Sequence, residues 1–83
     1  MQTVTIYTKP SCVQCEWAKR TMAKQGSTFE IEDILEDMNL AAVQALGFGS
    51  APVTIVSQGS PGDEVIWGGF QPDMIKKHIK PNQ

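Results

Sequence analysis

Two cysteines, Cys12 and Cys15, are separated by two residues and follow a β-branched run near the start of the 83-residue sequence. The thiolate is the reactive form of cysteine, and an isolated thiol has a pKa of about 8.5. If Cys12 begins a helix, the unpaired N–H groups and partial positive charge of the first turn favour its thiolate. Such positions can lower a thiol pKa to roughly 3.5–7.5. The pair therefore predicts a reactive dithiol that can close into a disulfide.

The two thiols are expected to play different roles. Cys12 stands at the exposed start of the predicted helix, whereas Cys15 shares a helix face with Ala18 and Met22, at the spacing of a buried stripe. We therefore predict that Cys12 is the nucleophile and that Cys15 is the resolving thiol. Cys15 is close enough to pair with Cys12 and too protected to meet an outside target first.

A metal site and an inert buried pair are the alternatives to redox chemistry. A structural zinc site needs four ligands, but the sequence offers one cysteine pair and one histidine, His78. We therefore expect no metal site on the single chain. Zinc or an iron–sulfur cluster shared between two chains stays open as a non-enzymatic function. Since His78 lies on the apolar face of the last predicted helix, we expect it at the margin of the core.

The segments around the cysteines have clear patterns. Residues 3–8 are β-branched or aromatic and predict a central strand. Pro10 ends this strand, because proline cannot continue a central ladder. Ser11 is the expected N-cap of a helix over residues 12–25, which Gly26 stops.

The rest of the chain predicts three more strands and two more helices. We expect an edge strand with one solvent-facing side, a helix capped by Asp37 and ended by Gly47, a hairpin with a turn rich in Gly, Ser and Pro, and a helix that begins at Pro72. In chain order these elements cover residues 28–32, 38–46, 52–56, 63–67 and 72–80. The order β-α-β-α-β-β-α predicts an α/β fold of thioredoxin-like architecture, with a four-stranded mixed sheet and helices on both faces.

Length and composition set the broad class. The 83 residues are expected to form one domain, residues 1–83. The net charge of −2 argues against a nucleic-acid partner, and no apolar run approaches the roughly 20 residues that span a bilayer. The N-terminus lacks the features of a secretory signal, so we expect a cytoplasmic protein without a membrane partner. We also expect it to be a monomer. In that compartment a cysteine pair is rarely a permanent structural disulfide.

Three segments of the chain carry a family resemblance. They are residues 7–15 with the tetrad Cys-Val-Gln-Cys, residues 50–53 with Ser-Ala-Pro-Val, and residues 67–75, which begin Trp-Gly-Gly-Phe-Gln-Pro-Asp. Together they resemble the glutaredoxin branch of the thioredoxin superfamily, and more narrowly the NrdH-redoxins, over essentially the whole chain. Where that family usually has Ala, Thr, Ser and Arg, this chain has Trp17, Ser50, Gly68 and Gln71.

The resemblance implies a glutaredoxin-type fold and a small dithiol electron carrier. Such proteins are reduced by thioredoxin reductase and supply electrons to the large subunit of class Ib ribonucleotide reductase. No bound cofactor is expected, because NADPH and FAD belong to the reductase and the redox group here is the Cys12–Cys15 disulfide. The resemblance also implies a cis peptide bond before Pro52. A glutathione-dependent glutaredoxin is the nearest alternative.

The residues around the dithiol are expected to contact partner proteins. Lys9, just before the cysteines, can support the thiolate or meet an acidic partner. Val13, Ala51 and Phe70 are expected to form an apolar rim. Trp17 lies on the side of the helix away from Cys15, and we expect it to pack on a neighbouring element. The full predicted contact set is Lys9, Val13, Gln14, Ala51, Pro52, Trp67, Gly68, Gly69 and Phe70. For Trp67 and Phe70 the alternative is packing in the core under the last helix, which we favour for Trp67.

Overall fold

The structure is a computed structural model that describes residues 2–60 and 62–81. In this part of the chain, four strands and three helices follow one another in the predicted order β-α-β-α-β-β-α. They are β1 (Thr3–Thr8), α1 (Val13–Lys24), β2 (Glu30–Asp33), α2 (Asp37–Ala45), β3 (Val53–Ser57), β4 (Val65–Gly68) and α3 (Pro72–His78). Within the described residues, no helix is long and apolar enough to cross a membrane.

These four strands form one mixed sheet in the order β2-β1-β3-β4. β1 pairs in parallel with β2 across the α1 connection, and it pairs antiparallel with β3. β3 pairs antiparallel with β4. The predicted thioredoxin-like fold is confirmed, as are the central position of β1, the edge position of β2 and the closing hairpin.

Two apolar clusters cover opposite faces of the sheet. On one face, α1 and α3 pack against side chains of the strands, and the buried members are Val4, Ile6, Ala18, Met22, Val56, Trp67, Ile75 and Ile79. On the other face, Val43 of α2 packs with Ile34 and Val53. Because Ala18 and Met22 fix α1 to the sheet, they also hold its first turn at the end of β1.

The starts of α1 and α2 differ from the prediction by one residue. Cys12 rather than Ser11 is the N-cap of α1, because its sulfur accepts a hydrogen bond from the backbone N–H of Cys15. Ser11 has a φ of 57°, in the left-handed region, and turns the chain from β1 towards the helix. Similarly, Glu36 is the N-cap of α2, and Asp37 is its first helical residue.

The edge strand β2 is more exposed than its alternating pattern indicates. Ile31 is 54% exposed, whereas Phe29, just before the strand, is partly buried against the core. The strand has only four residues and pairs on one side alone, so little of the fold covers its apolar side chain. The other element ends lie within one or two residues of their predicted positions.

Candidate active site

The first turn of α1 carries a disulfide between Cys12 and Cys15. Their Cα atoms are 5.2 Å apart, within the usual range for this bond. Cys15 is 1% exposed, whereas Cys12 is only partly buried and lines an open surface concavity with Ser11, Val13 and Glu16. One member of the disulfide is therefore reachable from solvent, and the other is covered by the core.

One backbone N–H group at the helix start points at the sulfur of Cys12. The N–H of Cys15 donates to Cys12 Sγ at 3.1 Å, whereas the N–H of Glu16 closes the first helical turn on the Cys12 carbonyl oxygen at 3.2 Å. A helix N-terminus also carries a partial positive charge. That the reduced protein carries its thiolate on Cys12 rather than on the buried Cys15 stays a prediction.

An ion pair limits the negative charge beside Cys12. The carboxylate of Glu16 lies 2.7 Å from the ammonium of Lys19. The hydrogen bond from Lys19 and then its charge hold the pKa of Glu16 below its usual value. Glu16 is therefore ionised at neutral pH, but the neighbouring cation weakens its repulsion of a thiolate at Cys12.

Lys9 lies on the same side of the disulfide turn as the ion pair of Glu16 and Lys19, since all three residues line one groove. It is exposed and lines a groove whose acidic members include Glu32, Asp33 and Glu36. Among the described residues it forms no ion pair with a carboxylate. Its charge is thus free to meet an anion, and its support of a Cys12 thiolate stays a prediction.

Hydrogen bonds join three segments that are distant in sequence. Gln14 Oε1 accepts a hydrogen bond from the N–H of Phe70 at 3.1 Å, and the N–H of Gly69 donates to the carbonyl oxygen of Pro52 at 2.8 Å. The Ala51–Pro52 peptide bond is cis, the isomer that the resemblance implies. The start of α1, the start of β3 and the bend after β4 are thereby connected. Their contact with partner proteins stays a prediction.

Trp17 and Phe70 form an aromatic pair beside the disulfide turn. Their ring centroids are 5.8 Å apart with an interplanar angle of 59°, a tilted contact. Trp17 nevertheless remains 48% exposed. It packs on a neighbouring element as expected, but about half of its surface still faces solvent.

Trp67 is a core residue, in agreement with packing under the last helix, the alternative to partner contact for this side chain. It is 4% exposed and belongs to the cluster under α1 and α3. Its ring centroid lies 6.1 Å from that of His78, which is partly buried at the margin of the core, as predicted. The contact of Trp67 with a partner protein stays a prediction.

A family model for glutaredoxin matches residues 4–58, which is more than half of the chain. The chain belongs to the glutaredoxin family. The matched stretch contains the disulfide, α1 and the loop before β3. The family resemblance predicted from the three segments is therefore confirmed.

Within the glutaredoxin family, the chain is similar in sequence to proteins named NrdH. It is 39% identical over 81 residues to the glutaredoxin-like protein NrdH of Escherichia coli K12, covering 95% of this chain and 93% of the relative. It is 29% identical over 75 residues to the glutaredoxin-like protein NrdH of Lactococcus lactis, covering 89% of this chain and 96% of the relative. The similarity to NrdH extends over nearly the full length of both proteins.

Two solved structures support the same fold. The Escherichia coli NrdH-redoxin, a glutaredoxin-like protein described as having a thioredoxin-like activity profile, matches with a TM-score of 0.73 and 40% identity, covering 95% of this chain and 99% of that one. A thioredoxin from Plasmodium falciparum matches with a TM-score of 0.65 and 13% identity, covering 98% of this chain and 74% of that one. At this low identity, the match to the thioredoxin supports the fold and nothing about function.

The family and the disulfide make this protein a thiol–disulfide oxidoreductase whose redox group is the Cys12–Cys15 pair. A disulfide at a helix start, with one member exposed, is suited to exchange with a second disulfide. Across residues 2–60 and 62–81, no group of three or more His, Cys, Asp or Glu side chains is placed to hold a metal ion.

One feature of the site escaped the sequence analysis. The hydrogen bond from Phe70 to Gln14 joins residues 56 positions apart, and no local pattern signals such a contact. By contrast, the i, i+3 and i, i+4 spacing of Trp17, Arg20 and Lys24 predicts a shared helix face, and the three residues do line the same surface.

The close approach of Gly68 to the ring of Phe48 can be tested by substitution. A Cβ at this position would lie 2.8 Å from Phe48 Cδ1 and 3.0 Å from Phe48 Cε1. We expect Gly68→Ala to lower the free energy of unfolding by about 1–3 kcal/mol, because the partly buried ring must move. Urea denaturation measures the change.

Gly49→Ala is the matched control for this substitution. A Cβ at Gly49 meets nothing within 4 Å, so we expect a change of no more than about 0.5–1 kcal/mol. Adding Phe48→Leu to Gly68→Ala should recover part of the lost stability, since the shorter side chain removes the ring atoms. Equal stabilities for the two alanine variants would contradict the crowding at Gly68.

Proposed function

We propose that this protein is a cytoplasmic electron carrier of the NrdH type. It receives electrons from thioredoxin reductase and passes them to the large subunit of class Ib ribonucleotide reductase. The observation that carries the proposal is the asymmetric disulfide, with Cys12 at the surface and Cys15 buried, in a chain 39% identical to Escherichia coli NrdH. The thioredoxin-like activity profile of the Escherichia coli NrdH-redoxin supports a reductase as the electron source.

Electron transfer proceeds through a mixed disulfide. The thiolate of Cys12 attacks one sulfur of the target disulfide, so a Cys12–target bond forms while the target bond breaks, and the released target thiolate takes a proton from solvent. The thiolate of Cys15 then attacks Cys12 Sγ and displaces the second target sulfur, which is also protonated. The target gains two electrons, and the Cys12–Cys15 disulfide is left for the reductase to reduce.

An apolar rim next to Cys12 suits a protein partner. Val13 is 60% exposed, and Phe70 and Ala51 are partly exposed. Burial of such side chains on docking favours association and excludes water from the exchanging sulfurs. We assign partner contact to this rim and a charge-steering role to the exposed Lys9.

The bend after β4 and the start of α3 offer little to bind glutathione, which carries two carboxylates and one ammonium group. At the bend after β4, the N–H of Gly69 already donates to Pro52 and the N–H of Phe70 already donates to Gln14, so neither is free for a carboxylate. Pro72 at the start of α3 has no N–H to donate. An exposed pair of a carboxylate with Lys9 is worth only about 0–1 kcal/mol.

The two possible reductants can be compared directly. The oxidised protein is offered thioredoxin reductase with NADPH, or glutathione with glutathione reductase and NADPH, and NADPH consumption is followed with the same disulfide substrate. We expect turnover at least about tenfold faster with thioredoxin reductase, which corresponds to about 1.4 kcal/mol. A variant lacking both cysteines gives the background rate.

The same assay identifies the acceptor. With thioredoxin reductase as the electron source, the disulfide form of a class Ib ribonucleotide reductase large subunit should be reduced and should resume turnover. Faster reduction by glutathione would replace the proposal with an ordinary glutathione-dependent glutaredoxin. Failure with the ribonucleotide reductase alone would overturn the proposed acceptor.

A further inference from the structure

A groove runs between α1 and α3 on the surface next to the disulfide turn. Its end nearer the disulfide is lined by Trp17, Arg20 and Phe70, and it continues past Lys24 to Asp73 and Lys76. We call this surface the α1–α3 groove. It is separate from the Cys12 concavity and takes no part in the exchange of sulfur bonds.

The apolar part of the groove is the contact between Trp17 and Phe70. The rings are 5.8 Å apart, yet Trp17 keeps 48% of its surface exposed. An aromatic residue that is half-exposed next to a reactive centre leaves apolar area for a partner to cover. The exposed part of Trp17 can pack against a large apolar side chain of a docked segment.

The charged part of the groove has a sign opposite to that of the whole chain. The protein has a net charge of −2, but the groove carries three cations, Arg20, Lys24 and Lys76, against one carboxylate, Asp73. Within the described residues, none of the three cations forms an ion pair. They therefore complement negative charge on a partner.

Most acidic side chains lie outside the groove, although Glu16 precedes Arg20 by one turn of α1 and has its pKa lowered by Lys19 and, to a smaller extent, by the charge of Arg20. Those around β2 and the start of α2 are Glu30, Glu32, Asp33, Glu36 and Asp37. This separation gives the molecule a cationic side at the groove and an acidic side at the sheet edge. Approach of an acidic partner segment is thus favoured at the groove, whereas at the sheet edge the cations Lys9 and Lys19 stand among carboxylates.

We propose that the α1–α3 groove binds an acidic segment of the target protein, in which a large apolar side chain lies between the target cysteine and the acidic residues. This inference rests on the proposed function as a disulfide-reducing carrier and names the substrate chemistry that the carrier prefers. The apolar side chain packs on Trp17 and Phe70, and the acidic residues face Arg20 and Lys24.

Helix geometry sets a lower limit on the spacing of such a segment. Trp17 follows Cys12 by five residues, an axial rise of about 7.5 Å along α1, so an extended peptide needs at least two or three residues to span it. Lys24 lies a further seven residues along, an axial rise of about 10 Å, or at least three extended residues. The preferred target therefore has its apolar residue at least two or three positions from the reactive cysteine and its acidic residues beyond it.

The test uses two synthetic peptides, each carrying a disulfide to a small thiol. They share an apolar residue at the predicted spacing and differ only in having glutamates or lysines beyond it. We expect the protein to reduce the acidic peptide about tenfold faster in kcat/KM at low salt, with a smaller ratio at high salt because exposed charges are screened.

Substitutions in the α1–α3 groove test whether the preference for the acidic peptide arises from this surface. Arg20→Glu with Lys24→Glu should reverse the ratio between the two peptides, and Trp17→Ala should lower kcat/KM for both by severalfold. Lys77→Glu with Lys80→Glu makes the same change in net charge on exposed residues outside the groove, and should leave the preference for the acidic peptide in place. An equal loss of preference in both double variants, or no preference in the unchanged protein, would overturn the groove assignment.

Two further measurements separate this inference from the proposed function. Reduction of a small uncharged disulfide tests the carrier chemistry without the groove. Binding of the same peptides with serine in place of cysteine, followed through the indole NMR signal of Trp17, tests the groove without redox chemistry. A shift with the acidic peptide alone supports the groove, and no shift with either peptide contradicts it.

Discussion

A Cys15→Ser variant is expected to accumulate a covalent complex with its target instead of releasing a reduced product. Cys12 can still attack, because it is partly exposed and caps α1 with its own sulfur. The second exchange needs a thiol at position 15, so the mixed disulfide persists. Non-reducing gel electrophoresis and mass spectrometry should show a complex linked through Cys12, with multiple turnover reduced to the background.

Cys12→Ser is the control for this experiment. Its remaining thiol, Cys15, is 1% exposed, so it should neither form the complex nor support turnover. Alkylation of the reduced wild-type protein near neutral pH should label Cys12 first, since only that residue is both accessible and placed at the helix start. Faster labelling of Cys15, or a complex trapped by Cys12→Ser, would reverse the assigned roles.

Replacing Ile75 by alanine is expected to have the largest effect on stability. Ile75 is 0% exposed and lies in the cluster that joins α3 to α1 and the sheet. Removing its three outer carbon atoms leaves a cavity, which typically costs about 2–5 kcal/mol. An 83-residue domain has a total stability of only about 4–12 kcal/mol, so the melting temperature should fall by roughly 10–30 °C.

Two further variants serve as controls for the loss of stability in Ile75→Ala. Ile75→Val removes one carbon and should cost about 0.5–1.5 kcal/mol, whereas Lys77→Ala alters an exposed residue of the same helix and should cost no more than about 0.5 kcal/mol. Thermal unfolding in the oxidised state compares the three. A cost for Ile75→Ala as small as that for Lys77→Ala would contradict its place in the core.

The fold could be predicted from the sequence because its signals are local. The β-branched run at residues 3–8, Gly26 after α1 and Pro72 at the start of α3 act through backbone preferences of neighbouring residues. The α1 cap was misplaced because Ser11 is a common capping residue, whereas the Cys12 sulfur takes that role here.

The candidate site could be predicted only in part. The spacing of the cysteines and the helical pattern of Ala18 and Met22 are sufficient to place Cys15 in the core. The orientation of Trp67 depends on how β4 pairs with β3, so its sequence position beside the Gly-Gly bend does not decide between packing and partner contact. Likewise, the exposure of Trp17 depends on its contact with Phe70, which belongs to a distant segment.

The most direct measurement of the central claim is a single-turnover exchange followed by acid quenching, alkylation and peptide mass spectrometry. The fully reduced protein is mixed with an equal amount of a disulfide-containing target, and the state of each cysteine is read at successive times. The account predicts a transient adduct on Cys12, followed by a Cys12–Cys15 disulfide that appears together with two free thiols on the target. A stable adduct on Cys15, or reduction of the target while both cysteines stay unpaired, would contradict it.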